Sequence, residues 1–248
     1  MKDFLKNYVE WIVCAAVSLL IATLVVFFTG NSNLDEQMKV SVYKVGTQDM
    51  RSHGSGFGIE GKSGVKYILT NDHVCDIAKD GIIFVQGYGF EPVGRRVIAR
   101  SKITDLCLVE GLPNTVPIPI ASNYKMLDKT FIFGYPFYSE YTPQEGKLIS
   151  KGFAQVLDHI IASDADKASC NSPKQLIITI ATIFGPIDVC ILNIHATYTT
   201  INTFPGNSGS PAVNANGELV GIIFAGDNET HWGIIVPKED IENFIKDY

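Results

Sequence analysis

A serine stands between glycines in Phe204-Pro205-Gly206-Asn207-Ser208-Gly209-Ser210-Pro211, just before an apolar stretch, Ala212-Val213, and a turn over 214–217. Glycine on both sides lets the backbone bend sharply and lets another backbone approach closely. A hydroxyl on such a bend is exposed. The N–H groups of Gly206 and Ser208 would point to one side of it and form an anion pocket. Acyl transfer needs this pairing of a nucleophile with an oxyanion site. Taken alone, the segment reads first as a Gly/Asn/Ser turn between strands, so the rest of the chain must decide.

Serine is a poor nucleophile unless a base takes its proton, and the base needs a buried carboxylate to fix its tautomer. Of the five histidines, His73 lies directly after the apolar run Tyr67-Ile68-Leu69-Thr70. Asp105 opens another apolar run, Leu106-Cys107-Leu108-Val109. Separately, these read as a satisfied strand-end histidine and a turn cap. In the order His, Asp, Ser on a strand-rich background, they read as a catalytic triad.

The elements that must position these groups are short strands. Residues 40–45, 56–59, 67–70, 82–85, 96–99 and 106–109 are β-prone, and a hairpin turns over Gly61 to Gly64. Two strands fill the gap between His73 and Asp105, enough to bring the chain back beside the histidine. Further on, 130–134 is a strand, 147–150 and 153–156 are weaker ones, and 176–183 and 189–194 are strongly β-prone. Residues 158–175 are largely polar and read as a long surface loop. Short strands with regular turn signals argue an all-β barrel architecture. His159 and His195 read as surface or core histidines.

From about residue 39 the chain resembles trypsin-like (chymotrypsin-fold) serine peptidases of the HtrA/Deg type. The resemblance rests on Gly54-Ser55-Gly56-Phe57-Gly58, on Tyr67 to Val74 around His73, and on Thr104-Asp105-Leu106. It continues in Gly134-Tyr135-Pro136-Phe137, in Pro205 to Ser208, and in Asn216 to Ile222. The stretch near 155–200 matches poorly and looks expanded by a hairpin. The resemblance implies two six-stranded antiparallel barrels, about 39–121 and 122–237, and endopeptidase activity without metal or organic cofactor.

It also implies where specificity resides. Asn202 and Thr203 would lie at the base of the primary pocket. Phe224, Ala225 and Gly226 would form the wall that pairs with substrate backbone as an added strand. No acidic or basic residue occupies that base, so a small or apolar residue is expected at the cleavage site. His231-Trp232-Gly233 is similar to a segment of glutamyl endopeptidases, but residues 225–230 intervene. Asn207 stands where trypsin-like zymogens carry an aspartate, so activation by N-terminal cleavage is not expected. Any regulation should act through loop ordering around the oxyanion site. Residues 237–245 place apolar side chains at 241, 244 and 245, as one helical face would. Most HtrA/Deg proteins continue into a PDZ module, for which no room follows, so peptide sensing by that route is in doubt.

The chain has 248 residues, 46% hydrophobic, with a net charge of −6. That suits one domain of about 200 residues plus an appendage. No basic stripe suggests nucleic acid. Residues 11–29 carry no charge and are long enough to span a hydrocarbon core of about 30 Å as a helix. An uncleaved anchor is preferred to a signal peptide, because no Ala-x-Ala site follows. Lys2 and Lys6 before the span favour a cytoplasmic tail over 1–10, with the peptidase domain outside the cytoplasm. Residues 30–38 read as a tether. The four cysteines beyond the span allow three pairings. Cys170 with Cys190 would close a loop, and Cys75 and Cys107 follow His73 and Asp105 by two residues each. Both of the latter also read as buried free thiols.

The function expected is a membrane-anchored serine endopeptidase acting on protein or peptide substrates through an acyl-enzyme. The alternative is a catalytically silent, membrane-anchored binding protein on the same fold. The sequence leaves the oligomeric state open.

Overall fold

Alternating and continuous apolar runs bounded by turns make β-strands the main regular element of the described residues. The computed structural model describes residues 34–248 except 138, 139, 171, 173, 184 and 228. The chain divides into two units, 1–38 and 39–248. In the first, residues 34–38 are helical. The expected span over 11–29 lies outside the described residues. Among the described residues, no helix is long and apolar enough to cross a membrane.

In the second unit, six strands close into a barrel: β1 (Val42–Gly46), β2 (His53–Glu60), β3 (Lys66–Thr70), β4 (Ile82–Gly87), β5 (Val93–Ser101) and β6 (Leu106–Glu110). Their spatial order is β1-β2-β3-β6-β5-β4. Val45, Ile68, Val85, Cys107 and Val109 are buried together inside it. The pairing of β3 with β6 matters most for the site. Thr70 faces Cys107 in an antiparallel register. The chain leaving β3 and the chain entering β6 therefore meet at one end of the barrel. The first carries His73 on α1 (Asp72–Cys75), and the second carries Asp105.

The remaining strands form a second sheet. They are β7 (Lys129–Gly134), β8 (Thr142–Ile161), β9 (Gln175–Thr182), β10 (Gly185–Thr199), β11 (Pro211–Val213), β12 (Leu219–Gly226) and β13 (Gly233–Pro237). The sheet runs β13-β12-β11-β7-β8-β10-β9, and β13 also pairs with β10. Seven strands replace the six expected, because β9 adds to the outer edge of β10. Residues 147–150 and 153–156 are not separate strands either. They belong to one strand, β8, which pairs with β7 over 142–147 and with β10 over 148–161. The loop expected over 158–175 holds a short helix, α2 (Asp164–Ser169), capped by Ser163 Oγ accepting the Asp166 N–H (3.2 Å). The C-terminal helix, α3 (Lys238–Ile245), buries Ile241 and Ile245 as its periodicity requires.

Both cysteine pairs are disulfides, Cys75–Cys107 and Cys170–Cys190. The first staples α1 to β6 directly behind His73 and Asp105, and both of its cysteines are buried. It closes a loop of sequence separation 32. Restraint of the unfolded chain by such a loop is worth about 3–4 kcal/mol. Cys75→Ala with Cys107→Ala should lower the unfolding free energy by about that amount in urea titration. A loss below about 1 kcal/mol would show that the bridge does not restrain the denatured chain.

Candidate active site

Asp105 sits in a left-handed backbone conformation (φ 51°), which aspartate tolerates better than most residues. This turns its carboxylate back onto α1. Oδ1 accepts the backbone N–H of His73 (3.0 Å), and Oδ2 lies 2.8 Å from His73 Nδ1. A carboxylate only accepts, so Nδ1 carries the proton and Nε2 is left as an acceptor. Asn71 Nδ2 donates to the Asp105 carbonyl (3.0 Å), tying the two turns together a second time.

The electrostatics around the imidazole are one-sided. Burial alone would lower the pKa of His73. The Asp105 hydrogen bond and charge, with Asp76 and Asp72 adding to them, more than offset this and raise it above the ordinary 6.5. Asp72 is itself buried and is held by Arg100, whose Nε and Nη2 donate to its carboxylate at 2.6 and 3.1 Å. Nη2 also donates to the Asp72 carbonyl (3.0 Å) and to Asp76 (2.5 Å). One guanidinium from β5 therefore pairs with both acids flanking the histidine.

Ser208 lies on a bend whose two flanking glycines adopt positive φ, 96° at Gly206 and 87° at Gly209. Both also lack space for a side chain. A β-carbon at 206 would overlap the Tyr135 carbonyl, and one at 209 would overlap the carbonyl of Ser55. The Phe137 N–H donates to the Pro205 carbonyl (2.5 Å). The peptide is trans, so the Gly206 N–H points the opposite way. Neither that N–H nor the Ser208 N–H has a hydrogen-bond partner among the described residues. Two unengaged donors flank the serine, as an oxyanion site requires.

The bend docks onto the first barrel. Ser55 N–H donates to the Ser208 carbonyl (2.7 Å), and Ser55 Oγ donates to the Gly206 carbonyl (2.8 Å). The same Oγ accepts the Tyr135 N–H (3.0 Å), and Thr70 Oγ1 donates to the Ser55 carbonyl (2.6 Å). Next to it, a β-carbon at Gly54 would lie 2.7 Å from both the Ser208 carbonyl and Val74 Cγ2, so the serine bend and the residue after His73 flank one point. The Ser208 hydroxyl donates to the Phe224 carbonyl (3.4 Å), and no hydrogen bond joins it to His73 among the described residues.

Of the other expected site residues, Thr203 meets the wall strand directly. Its Oγ1 donates to the Ala225 carbonyl (3.2 Å), and a β-carbon at Gly226 would overlap it. Phe224 is buried and Gly226 exposed. Asn202 is exposed, and its carbonyl accepts from Gln144 Nε2 (2.9 Å). Gln144 Oε1 accepts from Asn207 Nδ2 (3.1 Å), so one β8 side chain holds both ends of the segment leading to Ser208. The sequence offers no signal for Gln144. The role of Ser55 lay unread within a glycine-rich motif. His195 lies elsewhere, 3.7 Å from Asp240 and with its ring centre 4.9 Å from that of Phe153, tilted by 30°.

Comparison with known proteins follows this geometry. The family described as "Trypsin-like peptidase domain" matches residues 54–222. Serine protease Do-like HtrB of Bacillus subtilis (strain 168) is 24% identical over 198 residues, covering 77% of this chain and 37% of that protein. A probable periplasmic serine endoprotease DegP-like of Hahella chejuensis is 29% identical over 180 residues, covering 71% of this chain and 30% of that one. This chain thus spans well under half the length of these relatives. The fold is shared with the active form of the Rv3671c protease of M. tuberculosis, with a TM-score of 0.63 at 18% identity over 86% of this chain and 82% of that one.

Ser55→Ala would leave the part-buried Gly206 carbonyl and the buried Tyr135 N–H without the hydroxyl that bridges them. Such orphaned groups cost about 1–3 kcal/mol. A loss of that size is expected in urea titration, and a variant as stable as the wild type would show that the bend is held without the hydroxyl.

Proposed function

As this chain belongs to the trypsin-like peptidase family, we propose that it is a serine endopeptidase with Ser208 as nucleophile, His73 as base and Asp105 as the group that orients the base. The observation that carries this reading is the His73–Asp105 pair (2.8 Å) beside a glycine bend with two unengaged N–H donors. His73 Nε2 takes the Ser208 proton as Oγ attacks a peptide carbonyl. Asp105 keeps the proton on Nδ1 and stabilises the imidazolium that forms. The N–H groups of Gly206 and Ser208 receive the developing oxyanion, each worth about 10²–10³ in rate. The imidazolium then protonates the leaving amine, and water hydrolyses the acyl-enzyme with His73 again as base.

Reaching this state requires the Ser208 hydroxyl to leave the Phe224 carbonyl and turn toward His73. Substrate assists, since its backbone N–H, added along Phe224–Gly226, competes for the same carbonyl. Contact of Thr203 with Ala225 and Gly226 narrows the primary pocket and supports cleavage after small or apolar residues. Anchoring through residues 11–29, with this domain outside the cytoplasm, is supported by the uncharged run and by two disulfides, which persist in oxidising compartments.

The present hydroxyl orientation favours one second reading, a silent binding protein on the same fold. A fluorophosphonate probe decides between them. It should label the wild type, and Ser208→Ala should abolish labelling and lower peptide turnover by about 10⁶-fold. A folded wild type that takes no label would support the binding protein. The pH dependence is a separate check. His73 must be neutral to act as base, and its pKa is raised, so kcat/KM should rise with pH through a midpoint above 6.5. Asp76→Asn removes one of the charges that raise it and should move that midpoint down. A midpoint below 6.5 in the wild type would assign the acid limb to another group.

A further inference from the structure

A cavity of about 310 Å³ opens between the two halves of the domain, lined by Lys44, Gln86, Tyr88, Tyr135, Glu140 and Tyr141. One of its polar groups lacks a hydrogen-bond partner among the described residues, and a second is a cation held only over a ring. Tyr135 is 4% exposed, yet its hydroxyl has no hydrogen-bond partner. Leaving such a group buried and unpaired costs about 1–3 kcal/mol. Lys44 Nζ lies 5.2 Å from the centre of the Tyr135 ring and forms no ion pair among the described residues, with Glu140 elsewhere on the cavity wall. A phenol donor and an ammonium thus face one space walled by tyrosine rings.

The cavity adjoins the reacting centre through one residue. The Tyr135 N–H donates to Ser55 Oγ, its carbonyl lies 3.2 Å from His53 Nε2, and that same carbonyl abuts Gly206. The acyl side of a substrate would pair along Phe224–Gly226, on the flank of Ser208 where its hydroxyl now points. The leaving side must depart on the other flank, past Gly206, where Tyr135, Phe137 and His53 lie. The segment after the scissile bond therefore passes the cavity mouth.

We propose that this cavity receives a carboxylate from the leaving side of the substrate, held by Lys44 Nζ and Tyr135 Oη. This rests on Ser208 being the nucleophile, which sets the direction of the chain. A charge-assisted hydrogen bond from each donor is the strong kind and suits a carboxylate over an amide. The carboxylate can come from an Asp or Glu side chain or from the free C-terminus of a short leaving segment.

The test uses the full chain and quenched peptides identical before the scissile bond. After it, they carry either glutamate with an amidated C-terminus, glutamine with a free C-terminus, or glutamine with an amidated C-terminus. Wild-type kcat/KM should favour at least one carboxylate peptide over the fully amidated one by about tenfold. Whichever is preferred identifies the source. Lys44→Met should bring that ratio near one, and Tyr135→Phe, which keeps the ring, should lower it severalfold. The dissociation constants of the same peptides on Ser208→Ala protein should show the same preference and the same loss with Lys44→Met. Equal wild-type handling of all three peptides, or a preference that survives Lys44→Met, overturns the proposal. An absence of turnover with intact carboxylate-selective binding would instead sink the nucleophile assignment and leave the cavity's ligand class standing.

Discussion

The hydroxyl of Ser55 and its own backbone bind the two halves of the domain at the point where chemistry is proposed. Strands β1–β6 pair among themselves, and so do β7–β13. Among the described residues no sheet crosses from one half to the other, so the relative position of histidine and serine depends on side chains and loop backbone. Ser55 supplies three of those links, to Ser208, to Gly206 and to Tyr135. All are neutral hydrogen bonds, modest in net energy but costly to leave half made where they are buried, as at the Tyr135 N–H. That asymmetry is what makes one hydroxyl an effective register pin. It also sets the peptide plane on the far side of Gly206, while the Phe137 N–H sets the near side. The Ser208 N–H lies in the next peptide, whose Asn207 carbonyl accepts the Ser210 N–H, so the carbonyls of Pro205 and Asn207 fix the two planes that carry the unengaged N–H groups.

The first half holds the proposed base among three carboxylates, which together raise the pKa of His73. Asp105 is spent on the ring and on the His73 N–H. Asp72 and Asp76 share Arg100. Without that guanidinium, a buried carboxylate would stand beside the histidine with nothing to balance it, an expensive arrangement in a low-dielectric site. The disulfide behind α1 and β6 removes chain freedom where the histidine and aspartate must hold their distance. Charge pairing and covalent restraint thus act on the same turn.

The second half departs from a plain barrel through the length of β8 and β10. These continue past the contacts that serve the site and carry β9 and α2 beyond it, stapled by Cys170–Cys190. The inner part of β8 still serves the bend, because Gln144 reaches both Asn202 and Asn207. The same strand thus runs from the segment leading to Ser208 into the extension.

Residue order and type alone singled out His73, Asp105 and Ser208 as candidates and made the glycine bend, the apolar face of α3 and most strand segments legible. These are local patterns, set by backbone freedom at glycine and by burial of alternate or periodic side chains, and a window of a few residues contains them. The tertiary structure decided the rest. It chose the Cys75–Cys107 and Cys170–Cys190 pairings from three possibilities, through strand registers such as Thr70 against Cys107. It fused two weak strand segments into β8, because two different neighbours each supply part of its ladder. It also gave Ser55, Gln144 and Phe137 their roles. Ser55 and Gly206 are 151 residues apart in sequence, and a hydrogen bond across that separation leaves no trace in local periodicity. Such contacts exist only once both halves have folded and met.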